Sequence, residues 1–312
     1  MKLLKVAIVG AGICGLYLAW KLSEKGYRVI VFEKRNKIGK ESCSGLFSER
    51  ILKFIPQSKE LIENKIHSVL INFPKKRISV KFSKDFFVIN HAKLDNLVAD
   101  LAKSEGVDII LNQSINFIPR EFDRVIGCDG AGSIIRKRLN LSDPKFRLGI
   151  QGFILKEDYS DFVEVWPTKY GFIWKIPRGK EREYGIIEKN GRAKQIFDKF
   201  LKEKSIKVER KASAIIPQGL IIPSNSKITL CGDAVGLTKP WSGGGVIWSL
   251  TASSILLKNF PDFLKYHKEI KKKFLPEIIL SDILTKIFHF LGFNLPWFLP
   301  KNTRLEGDFI LS

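Results

Sequence analysis

A short β-branched run, Lys5-Val6-Ala7-Ile8-Val9, passes directly into Gly10-Ala11-Gly12-Ile13-Cys14-Gly15. Nothing else in the chain constrains its fold as tightly. A run that is apolar at every second and every adjacent position reads as a strand buried on both faces. Residues 16–25 are apolar on several sides, as a buried helix requires, and Gly26 offers a left-handed stop. Residues 27–32 form a second apolar run that closes on Glu33. Strand, glycine turn, helix, strand and terminal acid make a βαβ unit with parallel strands. In this unit Gly10 permits the tight turn, Gly12 lets a pyrophosphate reach the backbone, and Gly15 lets helix and strand approach. The helix N-terminus around Cys14 points free amides and a positive dipole end at the phosphates. Glu33 is placed to bind ribose hydroxyls, with Lys34 beside it. A bound dinucleotide follows, and the glycine spacing alone leaves FAD and NAD open.

Further along, residues 91–103 carry Leu94, Leu97, Val98 and Leu101 on one side of an amphipathic helix. Residues 107–111 and 124–126 read as strands. From about residue 145 to 222 the pattern changes to alternating strands with Gly, Pro and charged turns, a separate sheet. Residues 228–230 return to a buried strand, and 243–257 open an apolar helix. The last fifty residues are helical, first basic and then apolar.

Two further segments choose the cofactor. Phe122-Asp123-Arg124-Val125-Ile126-Gly127-Cys128-Asp129-Gly130-Ala131-Gly132 resembles the Asp-Gly motif of FAD-dependent hydroxylases and geranylgeranyl reductases. Cys231-Gly232-Asp233-Ala234-Val235-Gly236, continuing through Pro240 to Gly243-Gly244-Gly245-Val246, resembles their Gly-Asp segment. Asp233 at a strand end can accept from a ribityl hydroxyl. Glycine amides opening a helix can face the flavin's pyrimidine carbonyls. The resemblance implies an α/β fold: a Rossmann-like FAD-binding domain, an inserted mainly antiparallel β-sheet substrate domain, and a C-terminal helical segment. The expected division is 1–66, 86–144 and 223–262 for FAD, 67–85 and 145–222 for substrate, and 263–312 for the helical segment.

Hydroxylases usually carry His after the Gly-Asp segment; Gly236 stands here, as in geranylgeranyl reductases. Ser42-Cys43-Ser44-Gly45-Leu46 looks like the reductases' Cys-containing segment over the flavin. Gly171-Phe172-Ile173-Trp174-Lys175-Ile176-Pro177-Arg178-Gly179 resembles their GYxWxFPKG strand, with Phe172 in place of Tyr. Tyr170 could replace that tyrosine only if its ring points the same way. His91 stands where the family has Arg, and is expected to contact FAD phosphates. The resemblance thus implies Cys43, Ser44, Gly45 and His91 as further FAD contacts, and Cys43, Phe172 and Trp174 near substrate, with Trp166 as a further wall. It implies saturation of isoprenoid C=C bonds by hydride from reduced flavin, with a ferredoxin-like protein or NAD(P)H as electron donor. A flavin monooxygenase of a hydrophobic substrate and a non-catalytic lipid-binding flavoprotein are the alternatives.

Composition narrows the partners. Lys and Arg number 53 against 32 Asp and Glu, a net charge of +21, which favours anionic partners. Anionic lipid surfaces and phosphorylated ligands fit the flavoprotein that the resemblance implies; nucleic acid is not expected. Four cysteines without a short CxxC pair indicate neither a disulfide scaffold nor a zinc site. No run of about 18 uninterrupted apolar residues is present, so the expected location is cytoplasmic. Lys265, Lys268, Lys271, Lys272 and Lys273, followed by apolar residues up to Leu299, suit peripheral contact with an anionic membrane. A helical lid on the core is the alternative for that segment.

Overall fold

The computed structural model describes residues 4–40 and 42–311. The first apolar run forms β1 (Lys5–Val9), the glycine turn launches α1 (Ile13–Ser23), and the second run forms β2 (Arg28–Phe32). Then come β3 (Leu46–Ser48), α2 (Ile51–Phe54), and a long hairpin of β4 (Ile62–Phe73) and β5 (Lys76–Ile89). These lead to α3 (His91–Ser104), β6 (Asp108–Ile110), β7 (Arg124–Gly127) and α4 (Ile134–Arg138). Strands β8 (Lys145–Ile154), β9 (Phe162–Pro167), β10 (Phe172–Pro177) and β11 (Arg182–Glu188) precede α5 (Ala193–Glu203) and β12 (Arg210–Gln218). The chain continues through β13 (Ile228–Leu230), α6 (Val246–Asn259), α7 (Phe263–Asn294) and β14 (Asn302–Leu305).

Residues 1–40, 92–145 and 217–278 form one compact unit; 41–91, 146–216 and 279–312 form a second. The first unit holds a parallel sheet of five strands in the order β13-β7-β1-β2-β6. β1 sits at its centre with Val6, Ala7 and Ile8 fully buried, which is what its unbroken apolar run demands. α1 and α6 pack on each other. Both are buried on most sides, so their sequences show little one-sided periodicity.

The second unit holds nine strands, β12-β8-β11-β10-β9-β4-β5-β14 with β3 paired to β5. Most neighbours are antiparallel; β4–β9 and β5–β14 are parallel. Alternation along β10 divides its side chains between two cores. Phe172, Trp174 and Ile176 join Ile66, Val88 and Val163 on one face, while Ile173 joins Tyr184, Ile186 and the α5 side chains Phe197 and Phe200 on the other.

Three expectations change here. The stretch read as strands alone contains α5, whose Phe197, Phe200 and Leu201 recur at helical spacing and close the second core. Residues 41–66 and 86–91, assigned to the dinucleotide domain, fall in the second unit, because β3 and β4 pair with β5. The C-terminal segment is not a separate body: α7 up to residue 278 belongs to the first unit and the rest to the second. There Phe288 and Leu291 pack against Phe73, Ile78 and Val80 of the β4–β5 hairpin.

Candidate functional site

In the first unit the glycine turn has the geometry its spacing predicts. Gly10 takes φ +105°, and a Cβ on it would lie 2.4 Å from the Cys128 carbonyl oxygen. A Cβ on Gly15 would lie 2.0 Å from the Gly10 carbonyl oxygen. Both glycines are therefore required by the protein's own packing. Gly12 differs, since a Cβ there would meet nothing within 4 Å. Open space in front of Gly12, at the N-terminus of α1 where first-turn amides have no intrahelical acceptor, is what a bound phosphate needs. Glu33, 9% exposed, accepts from the Ala11 amide through Oε2 at 2.8 Å and from the Arg35 amide through Oε1 at 3.0 Å. Its carboxylate thus fixes the glycine turn. Lys34 beside it is exposed.

The two later motifs meet through a residue to which the sequence reading gave no role. Arg136 is fully buried. It donates to Asp143 through Nε and Nη2, to the Ala131 carbonyl at 2.7 Å, and to the Ala234 carbonyl at 2.8 Å. One guanidinium thereby ties the Asp-Gly segment to the Gly-Asp segment. Asp129 Oδ2 accepts from the Ile134 amide at 2.6 Å, while its buried Oδ1 has no partner among the described residues. That oxygen can accept from a ligand hydroxyl, and the Asp129 Cα runs beside Gly10, 2.9 Å from where its Cβ would stand.

Gly232 takes φ +70° and comes within 3.1 Å of Cys14 at its would-be Cβ, seating the Gly-Asp segment on α1. Asp233 lies 3.6 Å from Lys40 Nζ. The glycine amides differ from expectation. Gly243 N–H donates to the Lys239 carbonyl at 2.8 Å and Gly244 N–H to Ser242 Oγ at 3.3 Å. Amides available to a ligand therefore begin at Gly245 and Val246, where α6 starts. The Cys14 thiol also turns inward, 3.3 Å from Ser253 Oγ and 4.0 Å from Cys128 Sγ. Its hydrogen bond to Cys128, together with burial, holds it well above its ordinary pKa. Only the backbone of Cys14 can serve a cofactor.

In the second unit a buried ionic network holds the Cys43 segment. Arg178 Nη1 donates to the Ser44 carbonyl at 2.7 Å and to Glu183 Oε2 at 2.9 Å, while Nη2 donates to Glu63 at 2.9 Å. Trp174 Nε1 donates to Glu183 Oε1 at 2.9 Å. Glu183 is 0% exposed, and burial pushes its carboxyl up to about 8 against the pull of Arg178 and Trp174. Arg178 also faces Glu63 at 2.9 Å and, at 3.7 Å, Glu181, which Arg210 shares. Gly45 takes φ +64°, and a Cβ there would strike the Ile89 carbonyl oxygen at 2.1 Å; the Gly45 amide lies 3.5 Å from Cys43 Sγ.

Phe172 and Trp174 share one core face, their rings 5.9 Å apart. Trp166 faces the opposite side against Phe200; it cannot wall the same space. Tyr170 precedes β10, with Lys189 Nζ 3.7 Å from its ring centre, and is not among the residues of the Phe172 core. His91 opens α3, is 7% exposed, and lies edge-on to Phe47. It is a buried residue rather than a surface one. Sequence alone did not point to Arg178 and Glu183, although the charged Arg178 and Glu183 flanking an apolar strand were visible.

A model of an NAD(P)-binding Rossmann-like domain matches residues 8–45. The digeranylgeranylglycerophospholipid reductase of Methanococcus vannielii is 26% identical, over 90% of this chain and 85% of its own. A geranylgeranyl bacteriochlorophyll reductase-like structure from Thermoplasma acidophilum superposes with a TM-score of 0.81 at 20% identity, covering 92% of this chain and 87% of that one. The flavin-dependent brominase Bmp2 has a TM-score of 0.74 at 12% identity, covering 93% and 87%. At such identities the structures show a shared fold. In sequence the chain is thus similar to reductases of geranylgeranyl lipids, and in fold to a geranylgeranyl reductase-like structure.

Proposed function

We propose that the chain is an FAD-dependent reductase that saturates C=C bonds of an isoprenoid chain or lipid. One observation carries the cofactor reading: open Gly12, free α1 amides and the unpartnered Asp129 Oδ1 occur together in one unit. Gly12 and the first turn of α1 hold the pyrophosphate, with Gly10, Gly15 and Gly232 keeping the backbone close. Glu33 and Lys34 serve the ribose; Asp129 and Asp233 take ribityl hydroxyls; Gly245 and Val246 line the ring's pyrimidine side. Cys43, Ser44, Gly45 and His91 are the further FAD contacts that the resemblance implies. When bound and reduced, FAD supplies the hydride.

An isolated alkene is not polarised, so alignment in an apolar, water-free wall must supply much of the rate. Phe172 and Trp174 provide such a wall, with Cys43 near substrate. Trp174 is fixed by its bond to Glu183, and the Cys43 segment by Arg178. The lipid reductase from Methanococcus vannielii supports an isoprenoid lipid as substrate. A ferredoxin-like protein or NAD(P)H is the electron donor.

The same reading includes peripheral binding to an anionic membrane through the C-terminal segment. No helix among the described residues is long and apolar enough to cross a membrane. One face of α7 is held on the hairpin by Phe288 and Leu291. The other exposes Ile279, Ile283, Ile287 and Phe290, followed by Trp297 and Phe298, at 48–68%. An apolar stripe on a chain of charge +21 suits an acidic headgroup layer.

The test is anaerobic. The protein as purified should release FAD on heating; a nicotinamide dinucleotide instead, or no flavin binding after added FAD, refutes the cofactor. Photoreduced protein mixed with an archaeal-type lipid extract should reoxidise and yield lipids heavier by two hydrogens per bond. A flavin hydroperoxide spectrum on mixing with oxygen would assign a monooxygenase. Neither response would assign a binding protein.

A further inference from the structure

A cleft of about 450 Å³ opens on the α5 side of the second unit's sheet. Its floor is the partly exposed Trp166 together with Tyr184 and Phe200, both buried in the second core, with the Trp166 and Phe200 ring centres 5.0 Å apart. It shares no residue with the FAD cradle or the Phe172–Trp174 face.

Around this floor stand five cations, and the charge does not balance. Lys175 lies 3.0 Å from Asp158 and 3.2 Å from Glu164, and Arg182 lies 2.9 Å from Asp158. Two carboxylates thus neutralise two cations. Lys156, Lys204 and Lys207 also line the cleft and are exposed. None of the three has an acidic partner among the described residues. The C-terminal end of α5 offsets about half a charge, so an excess above two positive charges remains. A concave site of this volume with an apolar floor and convergent polar groups is the usual form of a small-molecule site.

We propose that this cleft binds a small ligand that joins a flat aromatic ring to a phosphate-like anion. The ring lies on Trp166 and Phe200, and the anion draws Lys156, Lys204 and Lys207 together. Neither half suffices. A bare anion leaves the aromatic floor wet, and a neutral ring leaves three lysines repelling one another.

FAD-loaded protein, whose dinucleotide cradle is filled, is titrated calorimetrically at low salt with 1-naphthyl phosphate, 1-naphthol and inorganic phosphate. Naphthyl phosphate should saturate with a dissociation constant at least about tenfold below either fragment. The doubly substituted Lys204→Ala/Lys207→Ala protein should bind it about tenfold more weakly, with unchanged thermal midpoint, since both side chains are exposed. The proposal is overturned by absence of saturation below the millimolar range, or by unchanged binding in the double variant. Equal affinity for naphthol would mean an apolar surface only; equal affinity for phosphate would mean a plain cation cluster. Either result also overturns it. None of these outcomes depends on reductase activity, so they leave the functional reading untouched.

Discussion

Replacing Glu183 by Gln should change stability in a pH-dependent way that most core substitutions do not. In the folded protein the Glu183 carboxyl titrates at about 8, against 4.5 ordinarily. Between those values the folded chain holds a proton that the unfolded chain has lost. A group raised in this way stabilises fully below pH 4.5 and loses that contribution as pH climbs through about 8. Each pH unit of the interval is worth up to about 1.4 kcal/mol, giving a ceiling of about 5 kcal/mol. Relaxation of the site and water entry around Glu63 and Glu181 reduce this, and about 2–3 kcal/mol is expected. Gln resembles the protonated acid in shape and cannot titrate. Urea unfolding of both proteins at pH 5, 7 and 9 isolates the effect, because all other groups cancel in the difference. The stability of the wild type relative to Glu183→Gln should fall as pH rises. A difference that is flat, or that grows with pH, would show that Arg178 keeps Glu183 ionised throughout.

Three other outcomes follow from the geometry. Gly12→Ala should fold normally but bind FAD at least about tenfold more weakly, whereas Gly15→Ala, with its Cβ 2.0 Å from a carbonyl oxygen, should fail to yield folded protein; equal FAD affinity in Gly12→Ala refutes the pyrophosphate placement. Glu33→Ala should weaken FAD by roughly 1.5–3 kcal/mol in a flavin fluorescence titration, through loss of the Ala11 amide bond as well as ribose contacts; unchanged affinity would assign the ribose elsewhere. Ile283→Asp/Ile287→Asp should cut sedimentation with anionic vesicles sharply, each apolar side chain being worth about 1 kcal/mol at half burial. Point changes serve better than truncation there, since Tyr266, Ile270 and Phe274 of α7 are fully buried; undiminished sedimentation makes the segment a structural strap.

The parts legible in the sequence are those whose constraint is local. Gly15 is fixed by the Gly10 carbonyl within the same turn, Gly10 by its own left-handed φ of +105°, and β1 by burial on both faces, so spacing alone located them. The Arg178–Glu183 network was not legible, because its members come from four places: the Cys43 segment, β4, β10 with its following turn, and β11. Which face of the sheet takes Trp166 depends on register. Its partner across β9–β10 is Ile173, and paired residues share a face, so Trp166 parts from Phe172 and Trp174. α5 is hard to read because it follows four strands and its apolar period of 3.6 runs over only eleven residues. The occupied amides of Gly243 and Gly244 depend on a loop closing back on Lys239, which no pattern of residue types announces.

The three-piece construction of the first unit has a consequence for synthesis on the ribosome. β7, which flanks the central β1, takes its outer neighbour β13 from residues 228–230. α1, apolar on nearly every side, finds its cover in α6 at residues 246–259. A nascent chain of 150 residues has made the glycine turn but has neither, so its apolar helix stays uncovered while more than 100 further residues are added. At about 5–20 residues per second, that interval lasts about 5–20 seconds. Pulse-labelled chains stalled before residue 228 should be sticky and protease-sensitive, and should become compact only once residue 259 has left the exit tunnel.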